Sequence, residues 1–360
     1  MPDRPTVWLD LVSPSHPLFF EGLFSTLSEV DLRTTVRDKT ETVDLADQAG
    51  FEFDVLGRDF DTVALRTAGV PLRTIQLALQ APRADVSVSA SNAMCVLASR
   101  ARGLPTIHFT DNDITAYVDT PVISRLFCRF RALATHHIVP AAFQLTELTR
   151  WGVSPDRIHT YDGYKEDIYV AGFEPDQAVL TSLPFDSYVA LRPEALGAAY
   201  VDEEETIVPA LLDALVDRGM NVVYLPRRPR DRRHTVDYPT DQVHVPESPI
   251  NGLQLAWFSD GVLTGSGTMG REAACLAKPA VSFFPGPLLS VDRQLVDEGR
   301  MFHSRDPEQI ATFLEMAPST TGSLNRSKHV RDQAVSIVRQ LLRGGSFDRP
   351  TAATVAHSGM

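Results

Sequence analysis

The stretch Gly265-Ser-Gly-Thr-Met-Gly-Arg-Glu-Ala-Ala-Cys-Leu-Ala-Lys-Pro279 joins a polar, glycine-rich turn to an apolar helix that carries one early carboxylate. Gly261-Val-Leu-Thr264 before it predicts the end of a buried strand, and Ala280-Val-Ser-Phe-Phe284 after it predicts the next strand. The turn then lies at the carboxyl end of a strand and at the amino end of a helix. Unpaired backbone N–H groups at such a turn favour anions, so the stretch predicts a nucleotide-diphosphate site.

The glycine spacing by itself is a weak signal. Gly265, Gly267 and Gly270 match the spacing of the dinucleotide-binding pattern but not that of the Walker pattern, and they lie two thirds along the chain. Alternatively, these glycines only permit a tight turn and close helix packing. Glu272 favours a binding function, because an acid in the first helical turn suits the helix dipole and can hold ribose hydroxyls.

The composition indicates an ordered, acidic protein. At 360 residues the chain has room for two domains, and its net charge of -12 argues against a general nucleic-acid partner. The basic residues are nearly all arginine, since the only lysines are Lys39, Lys165, Lys278 and Lys328. An acidic surface with few lysines predicts a halophilic, archaeal source, although a GC-rich genome also replaces lysine by arginine.

The sequence predicts no metal centre, cofactor or membrane span. Cys95, Cys128 and Cys275 are odd in number and widely spaced, which favours buried core residues over a disulfide or zinc framework. No apolar run reaches the ~20 residues of a transmembrane helix, and Met1-Pro-Asp-Arg-Pro5 lacks the hydrophobic core of a signal peptide. We therefore expect a cytoplasmic protein, with peripheral contact to the inner face of the membrane and the oligomeric state left open.

Apolar strand-like runs alternate with amphipathic helix-like runs along both halves of the chain, which is typical of parallel sheets covered on both faces. In the first half the predicted strands are 6–12, 32–36, 52–56, 86–89, 106–109 and 137–139, and the predicted helices are 18–27, 41–49, 61–80, 92–102 and 124–134. In the second half the predicted strands are 188–191, 221–225, 261–264 and 280–284. The predicted helices are 203–217, 251–258 and 327–342, with a further helix in the later part of the turn–helix segment 265–279. The fold class is therefore α/β, with two doubly wound Rossmann-like domains.

Glycines and prolines between residues 162 and 184 indicate the domain boundary. The predicted domains are an N-terminal, acceptor-side domain over residues 1–165 and a C-terminal nucleotide-sugar domain over residues 166–326. Residues 327–343 are predicted to form a C-terminal helix, and one arrangement we consider is that it packs back on the N-terminal domain. Residues 344–360 are predicted to form a flexible tail. Open parallel sheets bind ligands at the carboxyl ends of their strands, so two such sheets predict one central cleft.

The second half resembles the donor-nucleotide domain of the GT-B glycosyltransferase superfamily and of UDP-N-acetylglucosamine 2-epimerases. The chain as a whole, over residues 5–342, resembles a family of GT-B-like proteins of unknown function from archaea and bacteria. The segments that carry this resemblance are Val7-Trp-Leu-Asp-Leu11, Ser15-His-Pro-Leu-Phe-Phe20, Asp111-Asn-Asp113, Gly163-Tyr-Lys-Glu166, Phe173-Glu-Pro-Asp176 and Leu191-Arg-Pro-Glu194. Each segment alone is weak, but the joint set is specific.

The resemblance implies a GT-B fold and a nucleotide sugar as substrate, without a cofactor or metal. It implies that Glu272 holds the nucleotide ribose. Asp292-Arg-Gln294 resembles the donor-sugar loop of bacterial lipid-linked N-acetylglucosaminyltransferases, in which glutamines contact sugar hydroxyls. Gln294 is then a donor-sugar residue, but Leu295 stands where that family has a second glutamine, so the identity of the sugar stays open.

Without a metal, the leaving diphosphate needs helix N–H groups, hydroxyls and cations. The donor-binding candidates are Arg192, Glu194, Arg227, Gly265, Ser266, Gly267, Thr268, Glu272 and Gln294. Arg192 alternatively pairs with Glu194 or with an acid at the domain interface. Arg227 and Arg228 alternatively belong to an exposed basic loop, which would also suit a phospholipid acceptor.

On the acceptor side, His16 is the predicted general base, because histidine titrates near neutrality and can accept a hydroxyl proton. Asp111 and Asp113 are predicted to share that role or to bind acceptor hydroxyls. The alternatives are structural: His16 caps the following helix, and the two aspartates form a turn and helix cap. Lys165 and Glu166 are predicted either as a hinge ion pair or as ligand contacts.

The leading hypothesis is a hexosyl- or N-acetylhexosaminyltransferase that acts on a glycan, a polyprenyl-phosphate-linked acceptor or a protein-linked glycan. The second is a nucleotide-sugar 2-epimerase that uses Asp10, Asp111 and Asp113. Those epimerases carry a histidine-arginine-arginine-glutamate run after the first strand of the second domain, and Arg192-Pro-Glu194 stands there instead. The third is a non-catalytic subunit that binds a nucleotide sugar.

Overall fold

The computed structural model describes residues 4–59, 63–118, 122–194, 196, 205–318 and 320–344. The strands of the N-terminal sheet are β1 (Thr6–Leu11), β2 (Asp31–Asp38), β3 (Phe53–Arg58), β4 (Val86–Ala90), β5 (Thr106–Phe109), β6 (His136–Pro140) and β7 (Ile158–Tyr161). Its helices are α1 (Ser15–Phe24), α2 (Thr42–Gln48), α3 (Val63–Gln80), α4 (Ala93–Ala101), α5 (Val122–Arg131), α6 (Thr146–Thr149) and α7 (Lys165–Val170). All strands pair in parallel, in the order β3-β2-β1-β4-β5-β6-β7.

The second sheet repeats the same winding. Its strands are β8 (Val189–Arg192), β9 (Val222–Tyr224), β10 (Val243–His244), β11 (Gly261–Thr264), β12 (Ala280–Ser282) and β13 (Phe302–His303). Its helices are α8 (Val208–Val216), α9 (Gly252–Phe258), α10 (Gly267–Cys275), α11 (Ser290–Asp297) and α12 (Pro307–Met316), and α13 (Asn325–Arg343) follows them. The strand order β10-β9-β8-β11-β12-β13 is again parallel throughout, which confirms the predicted fold of two doubly wound α/β domains.

Each sheet has one point where the strand order reverses. Strand β1 lies between β2 and β4, and β8 lies between β9 and β11, so consecutive crossovers depart to opposite sides there. A crevice forms outside the carboxyl ends of the strands at such a point, and open α/β sheets bind ligands in it. The loops after β1, β4, β8 and β11 therefore decide where a site forms.

One continuous apolar cluster joins the two sheets. It runs from β1 and α1 through Ile168 and Tyr169 of α7 to Val330 and Val338 of α13, and on to residues of β8 and α10. Helix α13 packs against α7 and α1, and Arg339 of α13 forms an ion pair with Glu29 beside α1. The domain limits predicted above stay a prediction, and residues 345–360 of the predicted tail lie outside the described residues.

Helix α1 begins earlier than predicted. Its first residues are Ser15-His-Pro17, which precede the helix predicted over residues 18–27. Proline is tolerated in the first helical turn, where its missing N–H would have no intrahelical partner. His16 consequently lies inside the first turn of α1, and its position is fixed by the helix rather than by a loop.

Several short elements were not predicted. Strands β10 and β13 contain two residues each, which is too short for a pattern to be recognised, and β7 (Ile-His-Thr-Tyr) is not a continuous apolar run. Predicted helix 203–217 begins at Val208 among the described residues, where Pro209 occupies the first turn, and residues 203–204 are outside them. None of the helices in the described part of the chain combines the length and apolar character that a bilayer span needs.

Candidate functional site

A cavity of about 800 Å³ opens between the carboxyl ends of the two sheets, which is within the range of roughly 300 to 1,000 Å³ shown by small-molecule sites. The loops after β1, β2, β4 and β5 form its N-terminal wall, and the β11–α10 turn with the segment before α11 forms its C-terminal wall. Both points of strand-order reversal therefore border the same space. The topology rather than any single motif places the cavity there.

The wall of this cavity is positively charged although the chain has a net charge of -12. Six basic side chains line it against three carboxylates, a formal excess of +3. These residues are Arg37, Lys39, Arg131, Lys165, Arg227 and Arg271, and Asp59, Asp111 and Asp292. A cleft of one sign inside an oppositely charged protein concentrates counter-ions, so the expected ligand is an anion.

The β11–α10 turn presents the open amino end of a helix to this cavity. Ser266 is the N-cap of α10, but no side chain caps the helix, and the Ser266 hydroxyl lies 3.0 Å from Oγ1 of Thr264. Gly267 and Thr268 in the first turn line the cavity. Their N–H groups and the positive end of the helix dipole therefore border the cavity, and their role in binding an anion stays a prediction.

Two glycines of this turn are required by close approaches. A Cβ on Gly265 would lie 2.5 Å from Cα of Glu194, so β11 and the chain after β8 can approach only because this side chain is absent. A Cβ on Gly267 would overlap Nη1 of Arg271, whose guanidinium is held by Glu166 and Asp292. The packing alternative therefore holds for both glycines, and their role in binding a diphosphate stays a prediction.

Arg271 is the centre of a buried ion network that the sequence analysis missed. Its Nε donates to Glu166 Oε1 at 2.9 Å, and its Nη1 donates to Asp292 Oδ1 at 2.9 Å. The network ties α10 to α7 and to α11. Burial opposes the charge of Arg271, but Glu166, Asp292 and Asp111 outweigh burial and hold its pKa well above the ordinary value, so Arg271 stays ionised. A charged residue inside an otherwise apolar helix was the available signal.

Lys165 extends the network to the N-terminal wall. Its Nζ lies 3.1 Å from Asp111 Oδ2 and 3.9 Å from Glu166 Oε1. Burial would raise the pKa of Asp111, but the charges of Lys165 and Arg271 overcome it and the pKa lies below its ordinary value. Asp111 is therefore a carboxylate at neutral pH, and Lys165 and Glu166 act as a cross-domain ion network rather than as one isolated pair.

Glu272 lies one helical turn beyond Thr268, on the same face of α10 but outside the cavity wall. Its Oε1 accepts a hydrogen bond from the Tyr169 hydroxyl at 2.7 Å. Burial raises the pKa of Glu272 to about 7, Glu166 adds to this, and the Tyr169 hydrogen bond opposes it. Tyr169 holds this carboxylate in place, and no sequence pattern pointed to it because it is 103 residues away.

His16 lines the N-terminal wall and is 6% exposed. Its Nδ1 accepts a hydrogen bond from the backbone N–H of Val12 at 3.3 Å, so the side chain binds the chain before α1 and does not cap the helix. Burial, followed by the charge of Lys165, lowers the pKa of His16 to about 3, which leaves the ring neutral. With Nδ1 as acceptor, the remaining proton is on Nε2.

The structure brings together half of the twelve predicted site residues. His16, Asp111, Arg227, Ser266, Gly267 and Thr268 line the cavity. Asp113, Arg192, Glu194, Gly265, Glu272 and Gln294 are not part of its wall. The functional roles predicted for all twelve residues stay predictions.

The residues outside the wall have identifiable contacts. Asp113 is buried and accepts from the backbone N–H groups of Gln144 and Ser290, which joins the loop after β5 to the start of α11. Glu194 accepts from the backbone N–H of Ile207 and from Oγ1 of Thr206, and its ion-pair partner is Arg305 rather than the predicted Arg192. Gln294 Nε2 donates to Glu298 within α11. These contacts support the fold around the cavity.

Asp10, a carboxylate considered above for epimerisation, is fully buried, and both of its carboxylate oxygens accept hydrogen bonds. It receives hydrogen bonds from both Nη atoms of Arg73 and from the side chains of Asn92 and Thr35. The backbone of Ser91 beside it adopts a left-handed conformation with φ of 45°, which is rare for a residue with a side chain. Among the described residues, no three His, Cys, Asp or Glu side chains are grouped as a metal site requires.

Known proteins share this fold. An uncharacterized protein of Methanocaldococcus jannaschii is 26% identical over 322 residues, which cover 86% of this chain and 90% of that protein. The UDP-GlcNAc 2-epimerase of the same organism, solved in complex with UDP-GlcNAc and UDP, is 13% identical, with a TM-score of 0.67 over 93% of this chain and 99% of that one. The glycotransferase of kitacinnamycin is 15% identical, with a TM-score of 0.61 over 95% and 100%.

The two structural similarities confirm the predicted GT-B architecture, and at such low identity they concern the fold alone. A family model described as "Protein of unknown function (DUF354)" matches residues 5–340, which includes both sheets and the cavity between them. The chain is therefore a member of the DUF354 family, and its fold is that of GT-B glycosyltransferases and UDP-GlcNAc 2-epimerases.

Proposed function

We propose that this protein transfers a sugar from a nucleotide-sugar donor to a glycan or to a lipid- or protein-linked glycan acceptor, in surface polysaccharide or glycoprotein biosynthesis. The observation that carries the proposal is the excess of positive charge around a cavity that also receives the uncapped amino end of α10. A nucleoside diphosphate fits this combination, and structural neighbours were solved with UDP and UDP-GlcNAc bound.

On the donor side, the N–H groups of Gly267 and Thr268 and the Ser266 hydroxyl would bind the diphosphate. The guanidinium of Arg227, which its Nε bond to Pro193 O orients, would neutralise part of the leaving charge. Glu272, held by Tyr169 on the same helical face, would accept hydrogen bonds from the ribose hydroxyls. Each hydrogen-bond donor to the diphosphate typically contributes on the order of 3 kcal/mol to stabilising the charge that develops on it in the transition state.

On the acceptor side, Asp111 is the stronger candidate for the general base. It is ionised and lines the cavity, whereas the His16 tautomer that accepts from Val12 carries its proton on Nε2 and donates there. His16 can act as a base only if it gives up the bond to Val12. The acceptor hydroxyl would lose its proton to Asp111 as its oxygen attacks the anomeric carbon and the nucleoside diphosphate leaves.

Epimerisation is the second candidate because several neighbours of similar fold are UDP-GlcNAc 2-epimerases. That reaction needs a base strong enough to remove a proton from C2 of the sugar. The N-terminal carboxylates that line the cavity are Asp59, paired with Arg37, and Asp111, paired with Lys165, while Asp10 is saturated with hydrogen bonds. Ion pairing weakens a carboxylate as a base. Removal of the C2 proton needs a stronger base than removal of a hydroxyl proton that leaves as the acceptor oxygen attacks, so these contacts favour transfer.

The first experiment is a thermal-shift screen with UDP, GDP, dTDP and their sugars, in low and in high salt. A ligand at about 100 times its dissociation constant adds roughly 2.7 kcal/mol of stability to the folded state. We expect one nucleotide to stabilise the wild type, and Glu272→Ala to lose that response. No response to any nucleotide would refute the proposal.

The second experiment separates transfer from epimerisation. The nucleotide sugar that binds is incubated in D2O without an acceptor, and the product is analysed by NMR. Epimerisation exchanges the proton at C2 for deuterium, whereas a transferase leaves C2 unlabelled and needs an acceptor to turn over. Deuterium at C2 would replace the transfer proposal by the epimerase one, and binding without either reaction would indicate a non-catalytic subunit.

A further inference from the structure

The N-terminal wall of the cavity is itself charged. It carries Arg37, Lys39, Arg131 and Lys165 against Asp59 and Asp111. Arg37 pairs with Asp59 at 2.9 Å, and Lys165 pairs with Asp111 at 3.1 Å. In the described part of the chain, Lys39 and Arg131 form no ion pair with a carboxylate, so this wall keeps a formal charge of +2.

This charge is unusual for the composition of the chain. The sequence contains four lysines at a net charge of -12, yet Lys39 and Lys165 both line this one cavity. The remaining two, Lys278 and Lys328, lie elsewhere, on α10's connection to β12 and on α13. On an acidic surface a lysine is expected to be surrounded by carboxylates, whereas Lys39 lines a cavity whose opposite wall also carries cations.

A hydrogen-bond donor accompanies Lys39. The His16 ring is more than nine-tenths buried and lines the cavity, with Nδ1 engaged by Val12 and the proton on Nε2. Lys39 is close enough for its charge to contribute to the lowered pKa of His16, after burial and Lys165. The ring therefore stays neutral beside the ammonium group, and its Nε2–H has no partner among the described residues.

The first turn of α1 contributes to the same corner. In the first turn of this ten-residue helix, the His16 N–H donates to the Ser13 carbonyl at 2.9 Å and Pro17 has no N–H, so the turn contributes through its side chains. Ser13 and Ser15 line the cavity beside His16. An ammonium group and an imidazole N–H, with two serines beside them, match the acceptor oxygens of a phosphate or a carboxylate.

We propose that the N-terminal wall binds an anionic group of the sugar acceptor, a phosphate or a carboxylate, through Lys39 and Nε2–H of His16, with Arg131 adding to the positive field. The inference rests on the proposed function, because it takes this wall as the acceptor side. It narrows the acceptor from any glycan to one that carries a negative charge near the hydroxyl that is glycosylated. A neutral oligosaccharide would leave Lys39 and His16 without a counterpart.

The test measures anion binding by calorimetry with protein saturated with UDP, at constant ionic strength. Three probes are used: inorganic phosphate, geranyl phosphate for a lipid phosphate, and D-glucuronate for an acidic glycan. The variant is Lys39→Met, and the matched control is Lys328→Met, which removes an exposed lysine of α13 that does not line the cavity. Denaturation midpoints of both variants check that the fold is unchanged.

We expect at least one probe to bind the wild type, Lys39→Met to raise its dissociation constant about ten-fold or more, and Lys328→Met and the affinity for UDP to be unchanged. The preferred probe then identifies the source of the anion, a lipid phosphate or an acidic sugar. Equal affinity in Lys39→Met and wild type, or no binding of any probe, would overturn the inference. A ten-fold loss of UDP affinity in Lys39→Met would also overturn it, since Lys39 would then serve the donor.

The same titrations distinguish a failure of the proposed transfer function from a failure of the proposed anion site. If UDP does not bind the wild type, the donor site is wrong, and the anion titrations are repeated without nucleotide. A loss of anion affinity specific to Lys39→Met would still support the anion site, and its absence would refute that site as well.

Discussion

Arg271→Met is expected to destabilise the protein strongly, because it removes the only cation that is hydrogen-bonded to two buried carboxylates in the described network. Glu166 is 1% exposed and Asp292 is 6% exposed, and each accepts one 2.9 Å hydrogen bond from the guanidinium. Methionine fills much of the same volume, so the change removes charge and hydrogen bonds rather than opening a large cavity.

The magnitude follows from what is left behind. Removing one partner of a buried ion pair typically costs about 3–5 kcal/mol, because the remaining charge loses both water and its counter-ion. Two charge-assisted hydrogen bonds at roughly 1.5–3 kcal/mol each give a similar figure. The cost arises from stranded charge, so Arg271→Met with Glu166→Gln and Asp292→Asn should recover most of the stability.

Urea denaturation followed by fluorescence and by circular dichroism measures both effects. The matched control is Arg218→Met, since Arg218 also contacts two carboxylates, Glu308 at 2.8 Å and Glu315 at 3.7 Å, but on the surface. Surface pairs are screened by water, so the control should shift the midpoint far less. A loss below about 1 kcal/mol in Arg271→Met, or no recovery in the triple variant, would contradict the buried-network account.

Three further predictions concern pH and packing. The affinity for UDP should rise as the pH increases through about 7, the pKa to which burial raises Glu272, because the ionised carboxylate accepts ribose hydroxyl bonds; calorimetry over a pH series should find Glu272→Gln insensitive, and equal pH profiles would count against the ribose role. Gly265→Ala should cost about 1–3 kcal/mol in urea titrations, because its Cβ would meet Cα of Glu194. The control Gly252→Ala should not destabilise the protein, because a Cβ at residue 252 would have no atom within 4 Å. Equal urea midpoints for the Gly265→Ala and Gly252→Ala variants would refute the close approach at Gly265. Burial holds the pKa of His137 at about 4, below the ordinary 6.5, so the unfolded chain binds a proton that the folded chain excludes. Stability should therefore be level above pH 6.5 and fall as the pH drops toward 4, and His137→Leu should show a smaller fall; an unchanged acid slope would exclude this histidine as a source.

The sequence predicted most of the secondary structure because the signals are local. Strands Gly261–Thr264 and Thr106–Phe109 were predicted to the residue, since each is a buried apolar run between clear breaks. Asn92 and Asn251 begin their helices as N-caps, each with a side chain that accepts from the first turn. The GT-B architecture followed from the alternation of these elements and from the resemblance of several short segments.

The candidate site was only half predictable. The turn Ser266 to Thr268 was recognised because its spacing and its place between a strand and a helix are local properties. Lys39 and Tyr169 were missed because nothing in their neighbourhood along the chain distinguishes them, and Arg271 was missed although it is a charged residue in a mostly apolar helix. Their importance comes from contacts with residues that are distant in sequence.

The opening stretch shows this division most clearly. The sequence by itself determined that residues 265–279 form a turn and a helix with an open amino end, because backbone conformation follows from nearby glycines and apolar spacing. Only the tertiary structure decided that Arg271 binds Glu166, 105 residues away, and that Glu272 binds Tyr169, 103 residues away. Those pairings depend on how two separately wound sheets pack, and the free energy of pairing buried charges is set by that geometry rather than by the order of the residues.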